Sequence, residues 1–266
     1  MNSLSAKNLT LGYGETIIID NLDIEIPKGE ITVFIGGNGC GKSTLLRSLA
    51  RLLKPKGGTV LLDGVEMNKM KTKDIAKKLA ILPQSPVSPE GLTVYELVKQ
   101  GRHPHRSFIK NWSKKDEEAV NRALESTNML HLKDRAVDSL SGGQRQRAWI
   151  SLTLAQDTDI ILLDEPTTYL DMTHQIEILD LLFDLNEQKG HTIVMVLHDL
   201  NLAARYAHHI VAVKDKRIYA QGKPEDIITC ELVSDVFQMK CNISCDPIFG
   251  TPVCVPHGKG RLILAN

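Results

Sequence analysis

The spacing of apolar and polar positions changes several times along the chain. Leu9-Thr10-Leu11 and the stretches 16–19 and 22–26 are β-branched or alternating, and Gly12, Gly14, Asp20 and Asn21 separate them. They predict short strands. Residues 31–35 form a continuous apolar run that stops at Gly36-Gly37, as a buried strand feeding a glycine loop would. Leu45, Leu46, Leu49, Leu52 and Leu53 then recur at helical spacing, predicting a helix over 44–53 that Pro55 and Gly57-Gly58 end.

The texture turns helical from about residue 86 to residue 157. Ser113 and Asp116 form a capping-box pattern ahead of Val120, Ala123 and Leu124 on one helical face, and a second helix is expected over 142–155. Strand-like runs return at 160–163, 192–197 and 210–213. Strands alternating with helices imply an α/β fold with much parallel pairing. From about Gln221 the chain reads as a small appendage, with a helix near 224–237 and then short strands.

Composition narrows the class without deciding it. The 266 residues carry 42% hydrophobic and 24% charged positions, ordinary for a globular protein. Acidic and basic residues number 32 each, so no global basic field argues for nucleic acid. No apolar run reaches the roughly 18 residues needed to span a bilayer, and Met1 to Lys7 lack a secretory pattern. The chain is therefore expected in the cytosol, with any membrane role exercised through partners. Cys40, Cys230, Cys241, Cys245 and Cys254 are an odd, sparse set with no common zinc spacing, and read as structural or incidental thiols.

Chemistry enters with the loop after the first buried run. Gly36, Gly37, Asn38, Gly39, Cys40, Gly41, Lys42 and Ser43 fit G-x-x-x-x-G-K-[ST] between a predicted strand and a predicted helix. Glycines let backbone N–H groups wrap a phosphate chain, and the helix start adds favourable dipole. Lys42 would hold β- and γ-phosphates of a nucleotide, and the Ser43 hydroxyl a Mg²⁺ ion. Residues 160–163 end at Asp164-Glu165, so a rigid strand would deliver Asp164 to the metal and Glu165 to an attacking water. Leu140-Ser141-Gly142-Gly143-Gln144 opens a helix and makes a second anion cradle. A second cradle for one nucleotide makes sense if it closes on a nucleotide held by another copy.

These three motifs, in this order, resemble the ABC ATPases. The resemblance covers nearly the whole chain. It implies a P-loop NTPase core (1–85 and 156–220) with an antiparallel β subdomain, an inserted α-helical subdomain carrying the signature motif (86–155) and a small C-terminal appendage (221–266). It also implies roles for single residues. Gln84 matches the Q-loop glutamine that touches Mg²⁺ and senses the membrane subunit, and Asp171 the D-loop aspartate that communicates across a dimer. His198 matches the switch histidine at the γ-phosphate. Tyr13 matches the aromatic that stacks on adenine, although it also reads as an ordinary strand aromatic. Thr44 follows Ser43 in the nucleotide-binding run. Gly37 departs from the family's usual Pro or Ser, and Tyr169 from the commoner Ala before Leu170-Asp171.

Other readings of single groups stay bland. His208-His209 suits a helix end by its dipole better than a metal, and residues 114–118 read as a solvated helix start. A kinase-like P-loop enzyme lacks residues 140–144 and His198 in this pattern. Chromosome-type members carry a long coiled coil where this chain has about 100 residues without sustained heptads, and translation-type members carry two cassettes. Residues 91–105, 197–207 and 222–229 are similar to ATPases of the iron-siderophore, haem and cobalamin importers, siderophores foremost. The implied assembly is a head-to-tail homodimer at the cytoplasmic face of the membrane. It would bind ATP and Mg²⁺, drive integral permease subunits, and serve a substrate-binding protein indirectly.

Overall fold

The structure, a computed structural model, describes residues 4–106 and 112–259. The last seven residues of the expected appendage lie outside the described residues.

The amino-terminal strands β1 (Leu4–Tyr13), β2 (Thr16–Ile26), β4 (Gly57–Leu62) and β5 (Val65–Glu66) form an antiparallel sheet in the order β2-β1-β4-β5. The two stretches expected between residues 16 and 26 are one strand. The pairing slips from Leu11↔Ile19 to Leu9↔Leu22, and Asn21 takes φ 49°. The polar pair Asp20-Asn21 thus marks a bulge, which bends the strand without ending it.

The second sheet carries the chemistry. Its order is β10-β9-β3-β8-β7-β6, built from β3 (Ile31–Ile35), β6 (Leu79–Leu82), β7 (Ile160–Leu163), β8 (Thr192–Val196), β9 (His209–Lys214) and β10 (Arg217–Gly222). All neighbours run parallel except the β9–β10 edge. Strands β3, β7 and β8 are buried at every position, which explains their continuous apolar runs. Within β3, Val33 and Ile35 face one core cluster while Phe34 enters the other, packed with Leu45, Leu46 and Leu49 of helix α1 (Lys42–Leu49).

Helix α1 ends at Leu49, four residues before the predicted end. Arg51 turns left-handed at φ 59°, leaving Leu52 62% exposed. The short α2 (Thr72–Ile75) leads into β6. Helices α3 (Val94–Lys99), α4 (Lys114–Ser126) and α5 (Gly142–Ala155) enclose a third core of Val94, Leu97, Val98, Val120 and Leu124. Ser113 does cap α4 with Asp116, but Asp116 is not solvated: it is buried and pairs with the buried Arg102 at 3.0 Å.

Helix α6 (Met172–Lys189) lays Ile178, Leu179, Leu182 and Leu185 on the sheet. Helix α7 (Leu200–Tyr206) ends two residues before His208, so the pair stands just past a helix end. His209 opens β9, and His208 Nδ1 accepts the backbone N–H of Ile31 at 3.1 Å. The single helix expected near 224–237 is two, α8 (Pro224–Ile227) and α9 (Cys230–Phe237), because Thr229 starts a new cap by accepting from Leu232 N–H. The hairpin β11 (Cys241–Cys245) and β12 (Pro252–Pro256) follows.

Candidate active site

The glycine loop joins the carboxyl end of β3 to α1. Gly36 has φ 147°, and a Cβ there would stand 2.3 Å from the Val213 carbonyl oxygen. Gly41, at φ 108°, would drive a Cβ to 2.9 Å from Ile19. Both glycines are therefore required by close approach as well as by backbone angle. Lys42 is 5% exposed, and its ammonium donates to the carbonyls of Gly36 at 2.9 Å and Gly37 at 2.8 Å. Gly37 itself meets only the Val236 carbonyl, at 3.6 Å from a Cβ position. The departure from the usual Pro or Ser there is not demanded by crowding.

Asp164 follows β7 and is 1% exposed. Neither of its carboxylate oxygens has a hydrogen-bond partner, and Arg47 approaches only to 3.5 Å. Burial pushes its carboxyl above the ordinary range, against the opposing pull of Ser43 and Arg47. A buried, unsatisfied carboxylate is costly unless a cation completes it. Two buried carboxylate oxygens beside the Ser43 hydroxyl, with only a loose contact to Arg47, are a hard-donor set that fits a divalent cation.

Glu165 is held quite differently. Its backbone is left-handed, φ 54°, a conformation that costs a non-glycine residue about 1 kcal/mol or more and fixes where the side chain points. One carboxylate oxygen accepts Gln84 Nε2 at 2.6 Å and the Thr168 hydroxyl at 3.0 Å, and the other lies 2.8 Å from His198 Nε2. Burial alone would raise its pKa. The bonds from His198, Thr168 and Gln84 outweigh burial and hold the carboxyl below its usual value. An ionised carboxylate is thus aimed into a cleft lined by Gly36, Gly37, Asn38, Gln84, His198 and Phe237.

The second anion cradle stands apart. Ser141 caps α5 in a reciprocal box, accepting Gln144 N–H at 3.3 Å while Gln144 Oε1 accepts Ser141 N–H at 3.2 Å. Gly142 meets Leu170, and a Cβ on Gly143 would overlap the His174 ring at 2.2 Å. Asp171 caps α6 and bonds both the N–H and the ring of His174, interactions that lower its pKa. Gly143, Gln144 and Asp171 therefore meet at His174, and none of residues 141–144 or Asp171 lines the cleft around Glu165. Tyr13 stands half exposed at the tip of the β1–β2 hairpin and lines neither.

Sequence reasoning missed Arg47, Thr168, His174 and Phe237. Arg47 lies one helical turn after Ser43, and Thr168 three residues after Glu165, so spacing offered a signal for those two. Nothing in the local sequence ties Phe237 to a loop two hundred residues earlier.

The glycine loop, the twin carboxylates and the capped Ser-Gly-Gly are matched as a set by the family model described as ABC transporter, over residues 19–168. The chain belongs to the ABC transporter family. A Bacillus subtilis (strain 168) protein named as a probable siderophore transport system ATP-binding protein is 70% identical, across 99% of this chain and 96% of the relative. A petrobactin import ATP-binding protein of Bacillus anthracis is 69% identical, across 98% and 96%. Among solved structures, an ABC transporter assigned to the metal-chelate type, in an inward-facing conformation, superposes with a TM-score of 0.83 at 29% identity, covering 97% of this chain and 98% of that one. A dimeric ATP-binding cassette in a post-hydrolysis state with ADP and phosphate superposes at 0.72 and 30% identity, covering 83% and 98%. Among the described residues no helix is long and apolar enough to cross a membrane.

Proposed function

We propose that this chain is the ATP-hydrolysing motor of an importer that takes up ferric siderophores. The observation that carries the hydrolytic part is the ionised Glu165, fixed by Gln84, Thr168 and His198 at the mouth of the glycine loop. The loop N–H groups and Lys42 bind the triphosphate, Lys42 exchanging the Gly36 and Gly37 carbonyls for phosphate oxygens. Glu165 takes the proton from a water aimed at the γ-phosphorus, and His198 orients the leaving phosphate. Ser43, Asp164 and Gln84 would hold Mg²⁺, which when bound would supply neutralisation of phosphate charge. Tyr13 stacks on adenine.

Two copies face each other head to tail, so that Ser141, Gly142, Gly143 and Gln144 of one close over the nucleotide of the other, with Asp171 at the seam. The separation of the signature cluster from the Glu165 cleft within one chain supports this arrangement. The γ-phosphate completes contacts that exist only when both halves meet, so binding closes the dimer and hydrolysis reopens it. The motion is passed to integral permease subunits at the cytoplasmic face of the membrane, served by a substrate-binding protein.

The cargo rests on the relatives at 70% and 69% identity, both named for siderophore or petrobactin transport. The test is uptake in a strain lacking the chain, supplied with labelled iron on several siderophores beside labelled haem and cobalamin. Loss of siderophore-iron uptake, restored by the intact chain but not by Lys42→Ala, is the expected result. Intact iron uptake with lost cobalamin or haem uptake refutes the cargo.

A further inference from the structure

The carboxy-terminal appendage gathers thiols that are scattered in sequence. Cys230, exposed, opens α9, and its Sγ donates to the carbonyl of Cys241 at 3.3 Å. Cys241 opens β11 and is buried; Cys254 on β12 is buried too. The register pairs Cys241 with Pro256 and Ile243 with Cys254, so Cys241 and Cys254 sit diagonally on one face of the hairpin and both enter the core. Burial, with the Cys254 and Cys230 thiols adding to it, pushes the Cys241 thiol up to about 12. Burial thus disfavours the Cys241 thiolate and shields it from soluble oxidants, while Cys230 is accessible. Cys245 is exposed and turned to its own neighbour, Asp246.

We propose that Cys230 and Cys241 are a thiol–disulfide site through which small oxidised disulfides slow the motor. The Cys230 thiolate attacks one sulfur of a soluble disulfide such as oxidised glutathione, and one glutathione thiolate leaves. Cys241 then attacks the Cys230 sulfur of the mixed disulfide, passing its proton to the departing second thiolate. Two protein thiols and one oxidised glutathione become one protein disulfide and two reduced glutathiones, so atoms and electrons balance. Proximity makes the poor nucleophile Cys241 competent in this second step alone.

The link to ATP runs along α9. Its far end places Phe237 in the cleft with Gly36, Gly37 and Asn38, and the Val236 carbonyl lies against Gly37. An S–S bond of about 2.05 Å is much shorter than a contact between thiols. Forming it draws the first turn of α9 onto β11. An eight-residue helix, about 12 Å long, moves as a rod and displaces Phe237 against the phosphate loop. The covalent step stands on its own; the effect on turnover rests on the ATPase reading above.

The experiment treats the purified full-length chain with oxidised glutathione or with dithiothreitol. It then maps linked peptides under non-reducing conditions and measures phosphate release. The expected result is a Cys230–Cys241 peptide and a loss of turnover of about fivefold or more, the low end of ordinary coupling between sites. Dithiothreitol reverses the loss, Cys230→Ser abolishes it, and Cys245→Ser leaves it intact. An adduct confined to Cys40, or equal inhibition of Cys230→Ser, overturns the proposal. A Cys230–Cys241 bond with unchanged turnover overturns the regulatory part. If the reduced chain hydrolyses no ATP at all, the ATPase reading fails, and peptide mapping still decides the thiol site.

Discussion

Replacing Glu165 with Gln should separate chemistry from structure at this site. The carboxylate accepts three donors: Gln84 and Thr168 on one oxygen, His198 on the other. An amide can keep its oxygen toward Gln84 and Thr168 and turn its NH₂ toward His198. A neutral imidazole accepts that bond through Nε2 by changing tautomer. The hydrogen bonds thus survive in number, but all three lose the charge of the acceptor and become neutral ones. Neutral bonds carry roughly half the strength of charged ones, a loss that the relieved desolvation of the charge offsets in part, so the stability cost is about 1–2 kcal/mol. For a chain of this size each kcal/mol is a melting shift of about 2–4 °C. The ability to accept a proton from water, by contrast, is gone. General-base assistance contributes about 10²–10⁴-fold, or roughly 3–5 kcal/mol of barrier. The assay combines steady-state phosphate release, ATP binding by a fluorescent analogue and thermal melting on one preparation. ATP binding within about threefold of the parent, with turnover down by at least about a hundredfold, is expected. Turnover within tenfold of the parent at unchanged binding would refute Glu165 as the base.

Three further outcomes follow from the geometry. Because burial raises the Asp164 pKa, the folded state holds that proton more tightly than the unfolded chain, and the ionised carboxylate works against folding at neutral pH, an effect that fades as pH falls into the carboxylate range. Asp164→Asn should therefore not lower the metal-free melting temperature at pH 7 and should abolish the extra stabilisation by ATP that Mg²⁺ confers; a clear drop in the first would contradict the net cost of burying this carboxylate. Ser141→Arg should cut turnover by about a hundredfold while ATP binding to the isolated chain persists, since Ser141 does not line the Glu165 cleft; wild-type turnover would exclude the shared site. Gly36→Ala should cost at least about 2 kcal/mol in urea unfolding, because its Cβ meets the Val213 carbonyl at 2.3 Å on a backbone at φ 147°.

What the sequence disclosed depends on how local the cause was. The loop at 36–43 and the pair Asp164-Glu165 are legible because strand, turn and helix start follow one another in the chain. The β subdomain is harder. Gly57-Gly58 reads as a helix stop, yet Gly58 lies inside β4, where a Cβ would meet the Lys7 and Asn8 carbonyls at 2.3 Å. Helix α6 escapes notice because Ile176, Ile178, Leu179, Leu181, Leu182, Phe183 and Leu185 are apolar on nearly every side, which blurs a 3.6-residue period. The Gln84–Glu165 bond spans 81 residues and the Arg102–Asp116 pair is a property of burial, so neither leaves a spacing to read.

The two carbonyls that hold Lys42 have a kinetic meaning. The Gly36 and Gly37 carbonyls take the place at the Lys42 ammonium that phosphate oxygens take on the proposed reading. A nucleotide held there as proposed would displace those carbonyls, and its success would scale with the charge it brings to the lysine. ATP, with a γ-phosphate, competes well. ADP presents less negative charge to the same ammonium, and the carbonyls reclaim Lys42 more readily. On the proposed reading, product discharge would be helped by a competitor that never diffuses away, while the free energy of ATP hydrolysis gives the cycle its direction.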